Sequence, residues 1–241
     1  MNKKVVKIIK VFVMFTVIFF AYGCSGHKIS NEKMSVNNYD ENEDKISSSP
    51  IIEIDISNKK IIDGSDYIKT QGCFKYPLNI ESYIQESSDI VAGEVIEVGY
   101  VEVDRIPWTK IDVQVAENIK GDIGVGEIIT IYELGGYVTG NSFKEMYGQR
   151  ENIKIEKEDL VEMKYFQTDM HSAGEEGIYC IKSRDEKSVF SKYTYELVCS
   201  SYSEFRYSND ENAYCMRNSD GMEYITMDDL KNRIQKTDAL K

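Results

Sequence analysis

Ile111, Val113 and Val115 alternate with Lys110, Asp112 and Gln114, which is the two-residue period of a strand with one buried face. EIITIYEL (127–134) resumes the strand pattern before Gly135-Gly136, and Gly121, Gly124 and Gly126 fill the link between the two. Upstream, IVAGEVIEV (90–98) reads as a strand broken at Gly93. EGIYCIKS (176–183) and VFSKYTYELVCSSY (189–202) predict an antiparallel pair, with Tyr193, Tyr195, Leu197 and Cys199 on one face of the second. EFRYS and NAYCMRN follow as short strands, with NSDG (218–221) as a turn. Helical spacing occurs twice. Ile80, Tyr83 and Ile84 follow Asn79, an N-cap residue, and Ile225, Leu230 and Ile234 bracket a start at Thr226 with Asp228 and Asp229 in the first turn. The expected fold is mainly β with a short N-terminal helix and a C-terminal helix. IIEIDI (51–56) is either an edge strand or part of an extended lead-in over 51–77. Tyr137–Gly177 is polar and without a clear period, and is expected to cross one end of the sheet.

The N-terminal pattern is of another kind. Lys3, Lys4, Lys7 and Lys10 precede the uncharged run Val11–Tyr22, which is shorter than the roughly 20 residues a spanning helix needs. A basic segment, a short apolar core and small residues make the layout of a secretory signal over 1–23. AYGC (21–24) resembles a lipobox, the site at which bacterial lipoproteins are lipidated on Cys and cleaved just before it. Gly23 fits that pattern, while Ala21 and Tyr22 depart from it. The resemblance implies a palmitate-type acyl anchor on Cys24 and a place on the outer face of the bacterial cytoplasmic membrane. An uncleaved anchor helix, or ordinary secretory cleavage, are the rival readings, and all three put the remaining chain outside the cytoplasm. Residues 24–50 have one aromatic residue, Tyr39, and no apolar period, the composition of a flexible tether. The folded domain is expected over 78–238.

From residue 24 onward 25 Lys and Arg face 41 Asp and Glu, a net charge of −16. That balance excludes a nucleic-acid surface, which needs basic patches. Hydrophobic residues at 41%, with 17 Tyr, are enough for a packed core.

Candidate chemistry is sparse. Cys73, Cys180, Cys199 and Cys215 permit two disulfides, with Cys180–Cys199 and Cys73–Cys215 the natural pairing if the two strands are hairpin neighbours; free buried thiols are the alternative. Their spacing is not that of a zinc site, so neither a metal nor another cofactor is expected. His27 lies in the tether. His171 stands near Asp169, Glu175 and Glu176; a lone loop histidine among acids is ordinarily solvated, and the sharper alternative is a base or a ligand. The glycine link has neither a following helix nor the Lys-Ser/Thr of a phosphate loop. Aligning RNSDGMEYITMDD to a calcium loop puts Met216 and Met227 where carboxylates belong. Trp108, between two strands, is expected either as an exposed loop aromatic or as a cap on the end of the β structure.

The order IVAGEVIEV, TKIDVQVAENIKG, glycine link, EIITIYELGG, GIYCIKS, YELVCSSYSEFRY and a closing ITMDDLKNRI resembles uncharacterised exported proteins of Gram-positive bacteria. Over about 78–237 it implies a small, closed or partly open OB-like β-barrel. Such barrels bind nucleic acids, glycans or proteins. A related barrel occurs in tissue inhibitors of metalloproteinases, which dock a free N-terminal Cys on zinc, a role closed to an acylated Cys24. The expected function is a non-enzymatic protein- or glycan-binding lipoprotein, reached through loops near Trp108 and Tyr137–Gly177, with His171 a further binding candidate. The alternative is an envelope hydrolase using His171 and the nearby acids.

Overall fold

A computed structural model describes residues 50–64, 77–147, 154–165, 169–185, 188–190, 194–218 and 221–238. The expected signal, Cys24 with its expected lipidation, His27, almost all of the expected tether and Cys73 lie outside these residues. Among the described residues no helix is long and apolar enough to cross a membrane.

The fold is mainly β. Its strands are β1 (Ile52–Glu53), β2 (Ile61–Asp63), β3 (Asp89–Val103), β4 (Ile106–Lys120), β5 (Ile128–Leu134), β6 (Gly136–Thr139), β7 (Leu160–Met163), β8 (Glu176–Ser183), β9 (Thr194–Ser201), β10 (Glu204–Ser208), β11 (Ala213–Asn218) and β12 (Gly221–Ile225). The helices are α1 (Ile80–Glu86), α2 (Gly140–Tyr147) and α3 (Met227–Asp238). α1 starts where the sequence places it, with the Ser82 N–H donating to Asn79 Oδ1 at 2.8 Å. α3 starts at the Thr226 cap, where the Asp229 N–H donates to Thr226 Oγ1.

β3 and β4 form a hairpin of two fifteen-residue strands, turned by Asp104 and Arg105 at φ 51° and 69°. Both central residues in the left-handed region match the twist of the strands. The register slips three times along the pair, and these irregularities bend a long ribbon. Gly93 lies at one of them, where an added Cβ would run into the Gln114 carbonyl. Bent in this way, β3 pairs with β4 on one side and β8 on the other. β4 pairs with β5, β5 runs parallel to β9, and β9 pairs with β8, so five strands close a ring. β10, β11 and β12 continue the sheet outward from β8.

The ring is filled by Val91, Val95, Ile111, Val113, Ile129, Ile131, Tyr179, Ile181 and Leu197. Its opposite face carries a second core, in which Ile80 and Ile84 of α1 and Leu230 and Ile234 of α3 cover Ile178, Phe205, Met216 and Ile225. Both helical stripes are those that the sequence spacing predicts.

IIEIDI (51–56) holds the edge strand, one of its two expected readings, since β1 pairs with β3 at the margin of the sheet. Two features depart from expectation. β2, in the stretch read as lead-in, lies parallel to β7. Tyr137–Gly177 builds structure of its own: β6, α2 and β7 join β2 around Val138, Phe143, Val161 and Met163. These strands are three or four residues long, too short to display a period. Glu102, only 3% exposed, ties this small sheet to β3 by accepting from the Thr139 N–H and the Ser142 hydroxyl.

Candidate functional site

Along β5 the inward-facing series is Ile129, Ile131 and then Glu133, which puts a carboxylate at the end of an apolar row. Glu204 opens β10 opposite Tyr179 of β8, a residue of the ring interior. The chain between β7 and β8 brings His171 to the same place. It is pinned to β3 by the Gly174 N–H donating to the Val95 carbonyl and the Val95 N–H donating to the Glu175 carbonyl. His171 is therefore not a solvated loop residue; it is 5% exposed, because its side chain closes the end of the ring.

Its surroundings are strongly charged. His171 Nε2 lies 3.0 Å from Glu133 Oε2 and 3.4 Å from Glu204 Oε2, and Nδ1 lies 3.5 Å from Glu175 Oε2. Arg206, opposite Gly177 on β8, donates to Glu204 Oε1 at 3.1 Å and to the Asp169 carbonyl at 2.9 Å. Its Nη2 also stands 3.3 Å from His171 Nε2. Burial alone would lower the imidazole pKa, but the Glu204, Glu133 and Glu175 carboxylates outweigh it and raise it from 6.5 to about 10. Burial pushes Glu204 upward against the pull of His171 and Arg206. It would do the same to Glu175, but the neighbouring His171 imidazole and the charge of Arg206 bring that carboxyl below its ordinary value. An imidazole held protonated at neutral pH is a poor general base.

Of the three acids adjacent in sequence, only Glu175 faces His171. Asp169 contributes its carbonyl, and Glu176 lines a surface cleft of about 330 Å3 with Gly174, Glu175, Arg206, Tyr207 and Asn209. Glu133, Glu204 and Arg206 escape the sequence reading. The one local signal was the acid closing the Ile129–Ile131 series.

Trp108 is not on a loop but within β4, half-buried and on the outer face of the ring. Phe190 meets it edge-on with centroids 5.2 Å apart and stacks on Tyr132 at 3.9 Å, and Arg184 lies over all three rings. Beside them on the same face, Lys110 donates to Asp112 at 2.7 Å and Thr130 donates to Asp112 at 2.6 Å. Tyr137 is no surface contact either. It is 7% exposed, set edge-on to Tyr100, and its hydroxyl donates to Glu162 at 3.3 Å. Burial drives its pKa up to about 12.

Cys180, Cys199 and Cys215 are free thiols, the alternative reading for them, in place of a Cys180–Cys199 bond; Cys73, the expected partner of Cys215, lies outside the described residues. β8 and β9 are hairpin neighbours as expected, but Ile181 faces Leu197, which sets Cys180 one position out of step with Cys199. Ser200, at φ 51°, then breaks the alternation of β9. Burial raises the Cys180 thiol to about 12, so little thiolate forms. Iodoacetamide should label Cys180 at least 100-fold more slowly in the native protein than in denaturant, with the half-buried Cys215 labelled ahead of it. Equal rates for Cys180 in both conditions would contradict this packing.

Compared with protein-family models and with curated proteins, the chain matches none.

Proposed function

We propose that this chain is a lipid-anchored, extracytoplasmic binding module built on an OB-like barrel, and that its ligand is a cell-envelope glycan or, second, an envelope protein. The ring order β3–β4–β5–β9–β8, with its single parallel pair β5–β9, is the order in which an OB-type barrel closes. In that architecture, ligands lie across the faces of the second and third barrel strands, here β4 and β5. The observation that carries the reading is the aromatic cluster on that face, in which half-buried Trp108 and Tyr132 flank the buried Phe190, with Arg184 over the rings and Lys110 and Asp112 beside them. Aromatic planes accept the apolar faces of sugars, and the flanking charged groups hydrogen-bond hydroxyls. The net charge of −16 from residue 24 onward removes nucleic acid as a ligand. Acylated Cys24 and the tether would hold the domain at the outer face of the cytoplasmic membrane.

Trp108 is the single tryptophan, so its fluorescence reports directly on this face. Titrating the full-length protein in detergent with solubilised envelope glycan should shift Trp108 emission saturably, and Tyr132→Ala should weaken the effect at least tenfold. No shift with glycan, and no protein crosslinked to the outer face of β4–β5 in intact cells, would end the reading. The second reading, an envelope hydrolase, draws on Glu175 and Arg206, which both line the cleft and touch His171. Hydrolysis of an envelope substrate that His171→Gln abolishes would favour it instead.

A further inference from the structure

We infer that Glu133, His171 and Glu204 form a binding site for one divalent first-row cation, for which Zn2+ is the natural probe. Glu133, His171 and Glu204 each offer one donor atom, and the three donors lie within 4.8 Å of one another. Two of the separations, 3.0 and 3.4 Å, lie slightly below and at the roughly 3.4 Å between donors of a tetrahedral ion with bonds near 2.1 Å. A set of one imidazole nitrogen and two carboxylate oxygens suits Zn2+ or Mn2+ better than soft or purely oxygen-seeking ions.

Three further observations point to a ligand rather than to a self-contained salt bridge. First, carboxylates outnumber cations. Among the described residues, Glu133, Glu175 and Glu204 stand against only Arg206 and His171, and an ion that displaced the His171 proton would meet this excess of carboxylate. Second, Glu133 is 6% exposed, yet its Oε1 has no hydrogen-bond partner among the described residues. A buried carboxylate oxygen left in that condition is costly. A cavity of about 10 Å3, bounded by Thr109, Glu133, Met163, Tyr165 and His171, lies beside Glu133 and His171 and holds about one small atom. Third, His171 is oriented as a metal ligand is. Nε2 faces Glu133 and Glu204, while Nδ1 faces Glu175 at 3.5 Å without a made hydrogen bond. A ligating histidine gives its other ring N–H to a carboxylate, which fixes the tautomer and sharpens the donor. The one group in the way is the Arg206 Nη2 beside Nε2; it tilts off that nitrogen while keeping Glu204 Oε1 and the Asp169 carbonyl. The bound ion would join β5, β10 and the chain preceding β8 at one end of the ring.

The experiment is a calorimetric titration of full-length, chelator-stripped protein in detergent with Zn2+ alone, with Co2+ absorption as a readout of the donor atoms. The expected result is one ion per chain and visible Co2+ bands without the thiolate charge-transfer that Cys180, Cys199 or Cys215 would give. Glu133→Gln and His171→Gln should each weaken binding at least 100-fold with near-UV dichroism retained. Glu175→Gln, at the half-exposed edge of the group, should weaken it about 10- to 100-fold by loosening the imidazole. Glu102→Gln, whose carboxylate is buried but already bonded, and His27→Ala in the tether should leave affinity unchanged. Absence of a one-to-one site would overturn the inference. So would thiolate bands, or unchanged affinity in both Glu175→Gln and a folded Glu133→Gln protein.

Discussion

Replacing Phe205 by Ala should lower the unfolding free energy by about 3–5 kcal/mol, the loss expected when a fully buried aromatic ring is cut back and its cavity persists. Phe205 has no exposure and sits opposite Ile178 on β8, at the seam where the ring continues into β10–β12. The same cluster holds Ile84 of α1, Met216 of β11 and Leu230 of α3. This cluster joins α1 and α3 to the ring, and little can collapse into the space because the strands around Phe205 are held by hydrogen bonds. For a domain of this size the loss corresponds to a fall in Tm of roughly 6–20 °C. Urea unfolding followed by far-UV dichroism and by Trp108 emission measures it, with an unchanged m value if only stability is affected. Tyr224→Ala removes an aromatic ring that is 50% exposed and should cost well under half as much. If Phe205→Ala costs less than about 1 kcal/mol, β10 and the two helices do not share one core.

The elements legible in the sequence are those whose signal is local. The Asn79 and Thr226 caps, the stripes of α1 and α3 and the alternation in β4 each need only a few neighbouring residues to be read. Ring closure is different, because the β5–β9 contact pairs Thr130 with Thr194 and Ile131 with Tyr195, residues 64 apart along the chain. No period within either strand encodes its partner. The Asp104–Arg105 turn was hidden for another reason: neither residue is the Gly or Asn that normally marks two consecutive positive φ values. His171 shows how the site itself escaped. Its sequence neighbours suggested a solvated acidic loop, while the carboxylates that contact Nε2 come from β5 and β10. Only the ring puts those strands beside it. The Cys180–Cys199 expectation failed by one residue of register, a quantity that hairpin adjacency alone does not fix.

Arg206→Met should lower stability by about 2–4 kcal/mol in metal-free buffer, because truncating one member of a buried ionic group leaves the others uncompensated. Arg206 faces Glu204 at 3.1 Å and Glu175 at 3.8 Å and also holds the Asp169 carbonyl. Glu204 is 2% exposed, so water cannot take over the lost contact. The Arg206 side chain is itself 29% exposed, which places the expected loss toward the lower part of the range for buried pairs. Methionine keeps most of the apolar stem, so the loss reports charge and hydrogen bonding rather than volume. Adding Glu204→Gln to Arg206→Met should restore at least about 1 kcal/mol, because it removes the carboxylate left unpaired. The two substitutions should therefore be non-additive, as they are for residues in one network. Because the group is largely shielded from solvent, raising NaCl from 0.05 to about 0.5 M should change the coupling little. Additive losses, or a coupling that disappears in salt, would mean that Arg206 and Glu204 are a solvated pair. Zn2+ then separates the two sources of positive charge at this end of the ring. An ion held by Glu133, His171 and Glu204 supplies part of what Arg206 supplied, so it should raise the Tm of Arg206→Met by more than that of the unsubstituted protein. Equal shifts would place the ion elsewhere.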